Sequence, residues 1–544
     1  MIEFLCGEKD KKTDLTTARN NETTRQDHRM SLDESGSPEI FKRVPISFMF
    51  LSNFEMKRGN ETVWSCKWSE TNCDIDLENI EFKSLPSGVH GVPDDIINFA
   101  VPKRARDDEY YYGVAFYKQN GQDIAQKSGQ VDRNQVKMYA LGVIIDPKFS
   151  ARGIPDDLVS SWWPTQFIGA NAYVDDLQQL LTHWLAEENF ENYDLFEEYF
   201  KCNSLIDDGN GTAMPSRSAK LAQEFLSPDV PRRLEDAGRP QMLEYLPYWI
   251  RKLGPLIFPV WKSCLLGERI LIINPPGGSF EACNALTYCL SLLSAVPNAL
   301  QVSRHEDRFI RPLFTIGISD IDRMASNVAK ALEREEKLAG FVACTSDEIL
   351  TCKTELYDKG LRISSGPTEQ DDEDVCGLFT SSGIPIKATP HDLECLQAFY
   401  QSYLGEQMSE AEKVRLSQTV EPVSWTQYLI DEFYWWTTAG YVAPFYHEHR
   451  HPEKTIPDDE AEMVLEIVGY FHGKTTGIYN RLKAIIESNE LQGPDELISV
   501  PFSALSEMDL DFFSAQDQEL VKALAWKWFE REVRITVDYC EAVC

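Results

Sequence analysis

The stretch Glu268–Leu290, ERILIINPPGGSFEACNALTYCL, decides the fold of this chain of 544 residues. Its start, Arg269–Ile273, is a short apolar run rich in β-branched residues, which is typical of a strand covered on both faces. Two prolines and two glycines at 275–278 end that strand. Ser279 is placed to cap the next helix, and Glu281 puts a negative charge in its first turn. The stretch therefore predicts a strand, a tight turn and a buried helix in an α/β core.

The turn PPGGS at 275–279 raises the question of phosphate binding, because nucleotide-binding folds hold phosphate at a helix N-terminus that follows a glycine-rich turn. A P-loop needs GxxxxGK[ST], with a lysine that reaches the phosphates, and a dinucleotide fingerprint needs GxGxxG. Here Gly278 is followed by SFEAC, and Glu281 would repel a phosphate. We interpret the turn as structural and rank a nucleotide-binding enzyme below other functions.

Acidic residues outnumber basic ones, with 87 Asp and Glu against 53 Lys and Arg and a formal net charge of -34. This balance disfavours direct binding of nucleic acid, because phosphate contacts need a basic surface. An acidic body also gains nothing from an anionic membrane leaflet. A protein partner with a basic or mixed face fits the charge best.

The 13 cysteines are odd in number, scattered and without a CxxC pair. This pattern indicates reduced, buried thiols of a cytosolic protein and argues against a zinc ribbon or a thioredoxin-type site. The N-terminal MIEFLCGEKDKK lacks the apolar run of a signal peptide. No segment reaches about 18 uncharged apolar residues. We therefore expect a cytoplasmic protein without a transmembrane segment, whose contact with membranes would be peripheral.

Composition and periodicity predict an α/β + α protein of three modules. The first module has five strand-like runs closed by a helix, and the central module alternates strands with helices, which indicates a parallel or mixed sheet. The helical module shows apolar stripes with a period near 3.6. The predicted order is a disordered tail at 1–40, the first module at 41–201, a linker at 202–240, the central module at 241–365, an acidic loop at 366–390 and the helical module at 391–544.

Three polar side chains follow the predicted strand Pro312–Ile318, at an edge where α/β proteins often bind ligands. They are Ser319, Asp320 and Asp322, in GISDIDRM. Paired carboxylates at this edge could hold Mg²⁺. We favour a simpler interpretation, in which Asp320 caps the following helix and Asp322 favours the dipole of its first turn.

Histidines alternate in YHEHRHPEK, at His447, His449 and His451. On an extended chain this spacing could bind zinc or nickel, but the flanking Pro452 and charged residues suit an exposed loop equally well. No Cys or His pair is near in sequence to complete four ligands, so we predict no metal site and no cofactor. The sequence also lacks GxSxG, HExxH and HxE…PCxxC patterns, so we predict no covalent catalytic site.

Three segments carry a resemblance to a known family. They are Asp74–Phe99 (DIDLENIEFKSLPSGVHGVPDDIINF), 257–276 (IFPVWKSCLLGERILIINPP) and Arg311–Asp358. The first is similar to the longin-type upstream module of DENN-domain proteins, in particular of their LCHN-like branch in animals and fungi. The other two resemble the two halves of the central DENN module, and the C-terminal helices resemble the helical downstream module in layout.

The resemblance implies a guanine nucleotide exchange factor for a Rab-type small GTPase in membrane trafficking, associated peripherally with endomembranes. It also implies that the loop with Ser319, Asp320 and Asp322 lies near the GTPase, where its acidic side chains could pair with basic switch-region residues. The alternative is a DENN-type scaffold, or a GTPase-activating partner that supplies an arginine from the first module. Arg104 and Arg106 in VPKRARDDEY are the loop arginines available for that role.

Overall fold

The computed structural model describes most of the chain from Val44 onward. The described residues are 44–55, 57–67, 75–104, 109–120, 136–147, 166–207, 213–215, 241–297, 299–300, 308–365, 375–405, 407–423, 460–489 and 497–537. Four predicted features lie wholly or largely outside them: the disordered tail, the linker, the acidic stretch at 366–374, and the histidine cluster at 447–451. The boundaries of the modules stay predictions.

The first module forms five antiparallel strands in the spatial order β3–β4–β5–β1–β2. The strands are β1 Ile46–Glu55, β2 Gly59–Lys67, β3 Asp94–Pro102, β4 Tyr110–Gln119 and β5 Met138–Ile145. All five coincide with the predicted apolar runs. β3, β4 and β5 are buried along most of their length, because apolar side chains pack on both faces of the sheet.

Helices pack on this sheet. They are α1 Ile80–Ser84, α2 Val174–Glu187 and α3 Asp194–Asn203, and a short hairpin, β6 Leu205–Asp207 with β7 Ala213–Pro215, follows. The predicted closing helix is confirmed as α2. It buries Leu177, Leu181 and Trp184 at helical spacing, and Trp184 stacks edge-on against Tyr139 of β5. An apolar helix face therefore closes the sheet, as the period predicts.

The central module continues the same sheet with parallel strands. These are β8 Arg269–Ile273, β9 Arg311–Thr315, β10 Phe341–Thr345 and β11 Lys359–Arg362, extended by antiparallel β12 Gly377–Thr380 and β13 Pro385–Ile386. The helices are α4 Leu246–Leu253, α5 Ile257–Leu266, α6 Phe280–Leu293 and α7 Ile321–Arg334. The expectation of a mixed α/β sheet is confirmed, with β8 and α6 where the opening stretch predicts them.

One pairing joins the two modules into an eleven-stranded sheet. Phe99 of β3 lies opposite Phe314 of β9, in antiparallel orientation. Phe314 is fully buried with φ of +58°, a conformation that is rare for a bulky residue. The pairing of β9 with β10 shifts register between Val342 and Ala343 at the same level. The strand pairing therefore changes from antiparallel to parallel at β9, where the backbone is locally irregular.

The helical module covers one side of the central module. Its elements are α8 Pro390–Phe399, continued by a wider turn at Tyr400–Leu404, then α9 Glu410–Ser417, α10 Glu460–Ser488, α11 Phe502–Glu507 and α12 Ala515–Phe529. A parallel pair, β14 Ile498–Pro501 with β15 Val533–Thr536, adds a small sheet that the sequence did not predict.

α10 is one continuous helix within the predicted helical module. The hydroxyls of Thr475 and Thr476 donate to the carbonyls of Phe471 and His472, one turn earlier. These two threonines therefore satisfy their hydroxyl groups within the helix itself.

A buried lysine fixes the helical module to the central module. Lys262 of α5 lies 2.9 Å from Asp392 of α8 and 2.7 Å from Asp517 of α12. All three side chains are buried. Removing one member would leave an uncompensated buried charge, which is the costly way to disturb such a group.

The described cysteines are free thiols, and all of them except Cys66 and Cys352 are buried, as expected. Burial raises the pKa of the Cys264 thiol and of the Cys289 thiol. None of the helices in the described ranges has both the length and the apolar character that crossing a bilayer requires.

Candidate functional site

The PPGGS turn leads into the N-terminus of α6, and a carboxylate from the first module already occupies that end. Asp95 of β3 accepts hydrogen bonds from the backbone N–H groups of Phe280 (2.7 Å) and Glu281 (3.2 Å) and from the hydroxyl of Ser279 (3.2 Å). The Ser279 oxygen in turn accepts from the N–H of Ala282, which confirms Ser279 as the N-cap. The amides that would cradle a phosphate are therefore already used.

Asp95 is buried, and burial raises the pKa of its carboxyl group, while the N–H groups of Phe280, Glu281 and Ile96, which also donate to it, limit that rise. A charged carboxylate at this position complements the positive end of the α6 dipole. Asp95 therefore ties the first module to the central module and takes the place of an external anion. The structural interpretation of the turn is supported.

The predicted site residues lie in a short 3₁₀ turn, Ile318–Asp320, and the first turn of α7. Asp320 is only 2% exposed. Its Oδ1 lies 2.5 Å from Nζ of Lys83 on α1 and 3.1 Å from Nη2 of Arg323, and its Oδ2 accepts from the N–H of Gly317 at 3.0 Å. Asp320 therefore joins the same two modules a second time.

The electrostatics of this group follow from its burial. Burial alone would raise the pKa of Asp320, but Lys83 and Arg323 lower it below the ordinary value. Burial lowers the pKa of Lys83, and Asp320 opposes this. Asp320 occupies the cap position of α7 without bonding the helix amides, so the prediction of a side-chain cap was wrong. Asp322 lies in the first helical turn, as predicted.

An acidic cleft of about 210 Å³ opens beside this ion pair, between α1 of the first module and the start of α7. The residues that line the acidic cleft are Asp76, Glu78, Asn79, Ile80, Lys83, Val101, Pro102, Ser319, Asp320, Asp322 and Arg323. Ser319 is half-buried and Asp322 is exposed. The structure thus brings all three predicted residues to one cleft, but only Ser319 and Asp322 have accessible side chains.

Two exposed apolar side chains stand next to residues of the acidic cleft. Phe82 of α1 is 45% exposed, and Ile318, directly before Ser319, is 55% exposed. The N–H of Ile318 donates to Oδ2 of Asp347 at 3.1 Å, which holds this turn against the loop after β10. Exposed apolar groups beside charged ones are typical of surfaces that bind a protein partner.

Of the two loop arginines, only Arg104 lies within the described residues. Arg104 is described, with a side chain that is 66% exposed and its Nε 3.9 Å from Oδ1 of Asp76 at the acidic cleft. Arg106 lies outside the described residues. Arg104 is thus placed where it could reach a molecule seated on the cleft.

One further group within the described ranges has the composition of a metal site. Ligand atoms of His391, Cys395 and Asp509 lie within 4.8 Å of one another. The Lys474 ammonium contacts Asp509 directly and supplies a positive charge where a cation would sit. Nε2 of His391 faces both Asp509, at 2.7 Å, and Cys395, at 3.4 Å, so the group also lacks the geometry of a Cys–His–Asp triad. His447, His449 and His451 lie outside the described residues.

Sequence reasoning missed two buried residues through which the first module contacts the central module, one at the acidic cleft and one at the start of α6. Lys83 and Asp95 contact partners 237 and 185 positions away in the chain, and a single sequence carries no signal for such pairings. Asp76 and Glu78 lie in DIDLENIEF, just before the start of α1, and no motif marked them as site residues.

Comparison with known proteins gives two family matches and several relatives. The model described as DENN domain-containing protein 11 matches residues 49–373, and a domain of unknown function (DUF4484) matches residues 488–544. The uncharacterized protein ANR2 of Saccharomyces cerevisiae is 39% identical over 505 residues, which cover 90% of this chain and 92% of the yeast protein.

Animal relatives match a shorter part. DENN domain-containing protein 11 of Danio rerio is 26% identical over 315 residues, 57% of this chain and 52% of the fish protein. Its counterpart in Rattus norvegicus is 24% identical over 317 residues, 57% of this chain and 56% of the rat protein. The matched region therefore spans just over half the length of these two animal relatives.

Proposed function

This chain belongs to the family of DENN domain-containing protein 11, and on that premise we propose that it is a guanine nucleotide exchange factor for a Rab-type small GTPase in membrane trafficking. DENN domains generally act on Rab GTPases. The observation that carries the proposal for this chain is the acidic cleft between its first and central modules, beside the exposed Phe82 and Ile318.

Nucleotide exchange requires binding energy from the exchange factor but no covalent chemistry. A factor that binds the nucleotide-free GTPase more tightly than the GDP-bound form lowers the affinity for GDP by the same coupling free energy. Displacing the switch loops and the Mg²⁺ that they hold is enough. A cleft that offers carboxylates and apolar contacts suits this task.

The cleft residues divide into two roles in this proposal. Ser319 and Asp322 are accessible and would contact basic residues of the switch regions, while Ile318 would pack against an apolar residue of the GTPase. Asp320 is buried against Lys83 and would position this turn without touching the partner. The ion pair between the modules thereby fixes the shape of the surface.

The place of action follows from the same proposal. A Rab GTPase resides on endomembranes, so an exchange factor of this kind would be cytoplasmic and would reach those membranes peripherally, through its partner. The net charge of -34 favours such recruitment over direct binding to an anionic leaflet.

The test is release of a fluorescent GDP analogue from a panel of purified Rab GTPases. The full chain, added in catalytic amounts, is expected to accelerate release from at least one member. No acceleration from any member of a complete panel would contradict the proposal.

A second candidate function rests on Arg104. Its exposed guanidinium beside Asp76 could reach a bound GTPase and stabilise the charge that develops during GTP hydrolysis, as an arginine supplied in trans does. That role predicts faster GTP hydrolysis that is lost in Arg104→Ala, whereas an exchange factor would retain GDP release in this variant. Binding of a Rab GTPase without either activity would select the scaffold alternative.

A further inference from the structure

A second cavity, of about 240 Å³, lies between α7 and the strands β9 and β10. Lys83 and Arg323 line both this cavity, which we call the α7 cavity, and the acidic cleft. The apolar part of its lining comes from the sheet and from the helix: Leu313, Phe341, Met324 and Val328. The two cavities therefore share these two cations, which both pair with Asp320, and differ in character.

The α7 cavity exists because α7 is incompletely packed. No residue of α7 is fully buried, although Met324, Val328 and Ala331 recur at positions i, i+4 and i+7 and form one apolar face. Apolar atoms that face an open space forgo dispersion contacts that a ligand of matching shape would restore. A concave, mostly apolar space with a few fixed polar groups is the usual form of a small-molecule site.

The residues that line the α7 cavity carry a net positive charge, whereas the whole chain carries a net negative charge. Seven of the described lining residues are Lys or Arg and one, Glu336, is acidic, in a chain whose net charge is -34. Four of these cations have carboxylates close by, since Asp320 pairs with Lys83 and Arg323, Asp358 pairs with Arg269, and Glu336 lies 3.9 Å from Arg334. Cations therefore outnumber carboxylates around this cavity, even though several of them are paired.

Two guanidinium groups are held in position by one aromatic ring. Arg311 and Arg323 lie 5.3 and 5.5 Å from the ring centroid of Tyr110, which also lines the cavity. Nη2 of Arg323 donates to Asp320 and the Tyr110 hydroxyl interacts with the same guanidinium, while the buried Nη1 has no acceptor within ordinary hydrogen-bond distance among the described residues. A buried donor without an acceptor is costly, and an anionic ligand would satisfy it.

We propose that the α7 cavity binds a small anionic amphiphile, a molecule with one carboxylate or phosphate group and an apolar body. The acidic group would lie near Arg311 and Arg323, and the apolar body would pack between Leu313 and Val328. This site does not depend on the proposed exchange activity. A failure to find amphiphile binding would therefore leave the proposed exchange activity untouched.

The test compares three probes that share an eight-carbon chain and differ in charge: octanoate, octanol and octyltrimethylammonium. Isothermal titration calorimetry on the full chain measures affinity and stoichiometry. Octanoate is expected to bind one to one, and octyltrimethylammonium is expected not to bind. Equal affinity for the anion and the cation, or no octanoate binding at millimolar concentration, would overturn the proposal.

Variants separate the two halves of the site. Val328→Trp fills the cavity and is expected to abolish octanoate binding, with Ala331→Phe as the substitute if the first variant does not fold. Arg311→Gln removes one cation and is expected to weaken binding about tenfold, the effect of losing a charge-assisted hydrogen bond. Lys522→Gln removes an exposed cation of α12 outside the cavity and serves as the matched control.

The last arm distinguishes a free amphiphile from a membrane surface. Sedimentation with vesicles that contain an anionic phospholipid is measured for the wild type and for Val328→Trp. Octanoate binding that Val328→Trp removes supports the α7 cavity. Octanoate binding that persists in Val328→Trp would place the binding site outside the α7 cavity and overturn the proposal. Vesicle binding without any octanoate binding would also overturn it, because the basic residues would then bind a membrane surface.

Discussion

Asp95 accepts a 2.7 Å hydrogen bond from the backbone N–H of Phe280, so a strand of the first module caps a helix of the central module. These residues lie 185 positions apart in the chain. The contact fills the helix N-terminus that would otherwise be the natural seat of a phosphate. It also explains why a strand, a glycine turn and a helix can occur together here without making a nucleotide site.

Asp95→Ala is expected to lower the free energy of unfolding by about 2 kcal/mol, because the helix loses a cap and its dipole loses a compensating charge. Urea unfolding followed by tryptophan fluorescence measures this. Asp94→Ala, the exposed neighbour on the same strand, is the matched control and should change stability little. Equal effects of the two substitutions would contradict the capping role.

ATP, GTP and NAD are expected to leave the melting temperature of the wild-type chain unchanged at millimolar concentration. The amides of Phe280 and Glu281 at the start of α6 are already bonded to Asp95, so a phosphate would have to displace this carboxylate to reach them. Thermal shift assays measure the result, because a ligand that binds the folded state raises its stability. A concentration-dependent rise that also occurs with inorganic phosphate would revive the nucleotide-binding alternative.

Asp320→Asn is expected to destabilise the chain by about 3 kcal/mol at neutral pH, since Lys83 then stays buried without a counter-charge. The folded-state pKa of Asp320 is lowered, so its contribution is present above the unfolded value of about 3.9 and is lost as pH falls through the folded value. The difference between wild type and variant should therefore shrink as pH is lowered toward about 3 and below.

Urea unfolding of both proteins across this pH range tests the sign, with Asp322→Asn on the same helix as an exposed control. A difference that stays constant or grows at acidic pH would show that the stabilisation does not come from the ionised carboxylate.

Ile318→Ala is expected to weaken binding of the Rab substrate about tenfold, because a half-exposed apolar side chain at the edge of the cleft gains most of its value when a partner covers it. Surface plasmon resonance with the nucleotide-free GTPase measures the affinity. Leu332→Ala is the matched control, since Leu332 is also an exposed apolar residue but, unlike Ile318, is not adjacent in the chain to a residue of the cleft. Equal losses in both variants would place the binding surface elsewhere.

The strands were predictable because their signal is local. β-branched and aromatic runs such as Arg269–Ile273 must be covered on both faces wherever they sit in the sheet. The site was predictable only in part, since Ser319, Asp320 and Asp322 follow a strand that ends at a ligand-prone edge. Asp320 is buried because it contacts Lys83, whereas Ser319 and Asp322 stay accessible. Lys83 lies 237 positions away in the chain, and no local pattern encodes that contact.

The most direct test of the account is the rate of GDP release from the Rab GTPase that responds in the panel, measured with wild type, Asp322→Arg and Glu198→Arg. Asp322 lines the acidic cleft and Glu198 is an exposed acid of α3 outside it. The account predicts that release rises in proportion to wild-type concentration, that Asp322→Arg lowers this slope about tenfold through charge repulsion at the interface, and that Glu198→Arg leaves it unchanged. A slope that is the same for all three proteins, or no acceleration by the wild type, would contradict it.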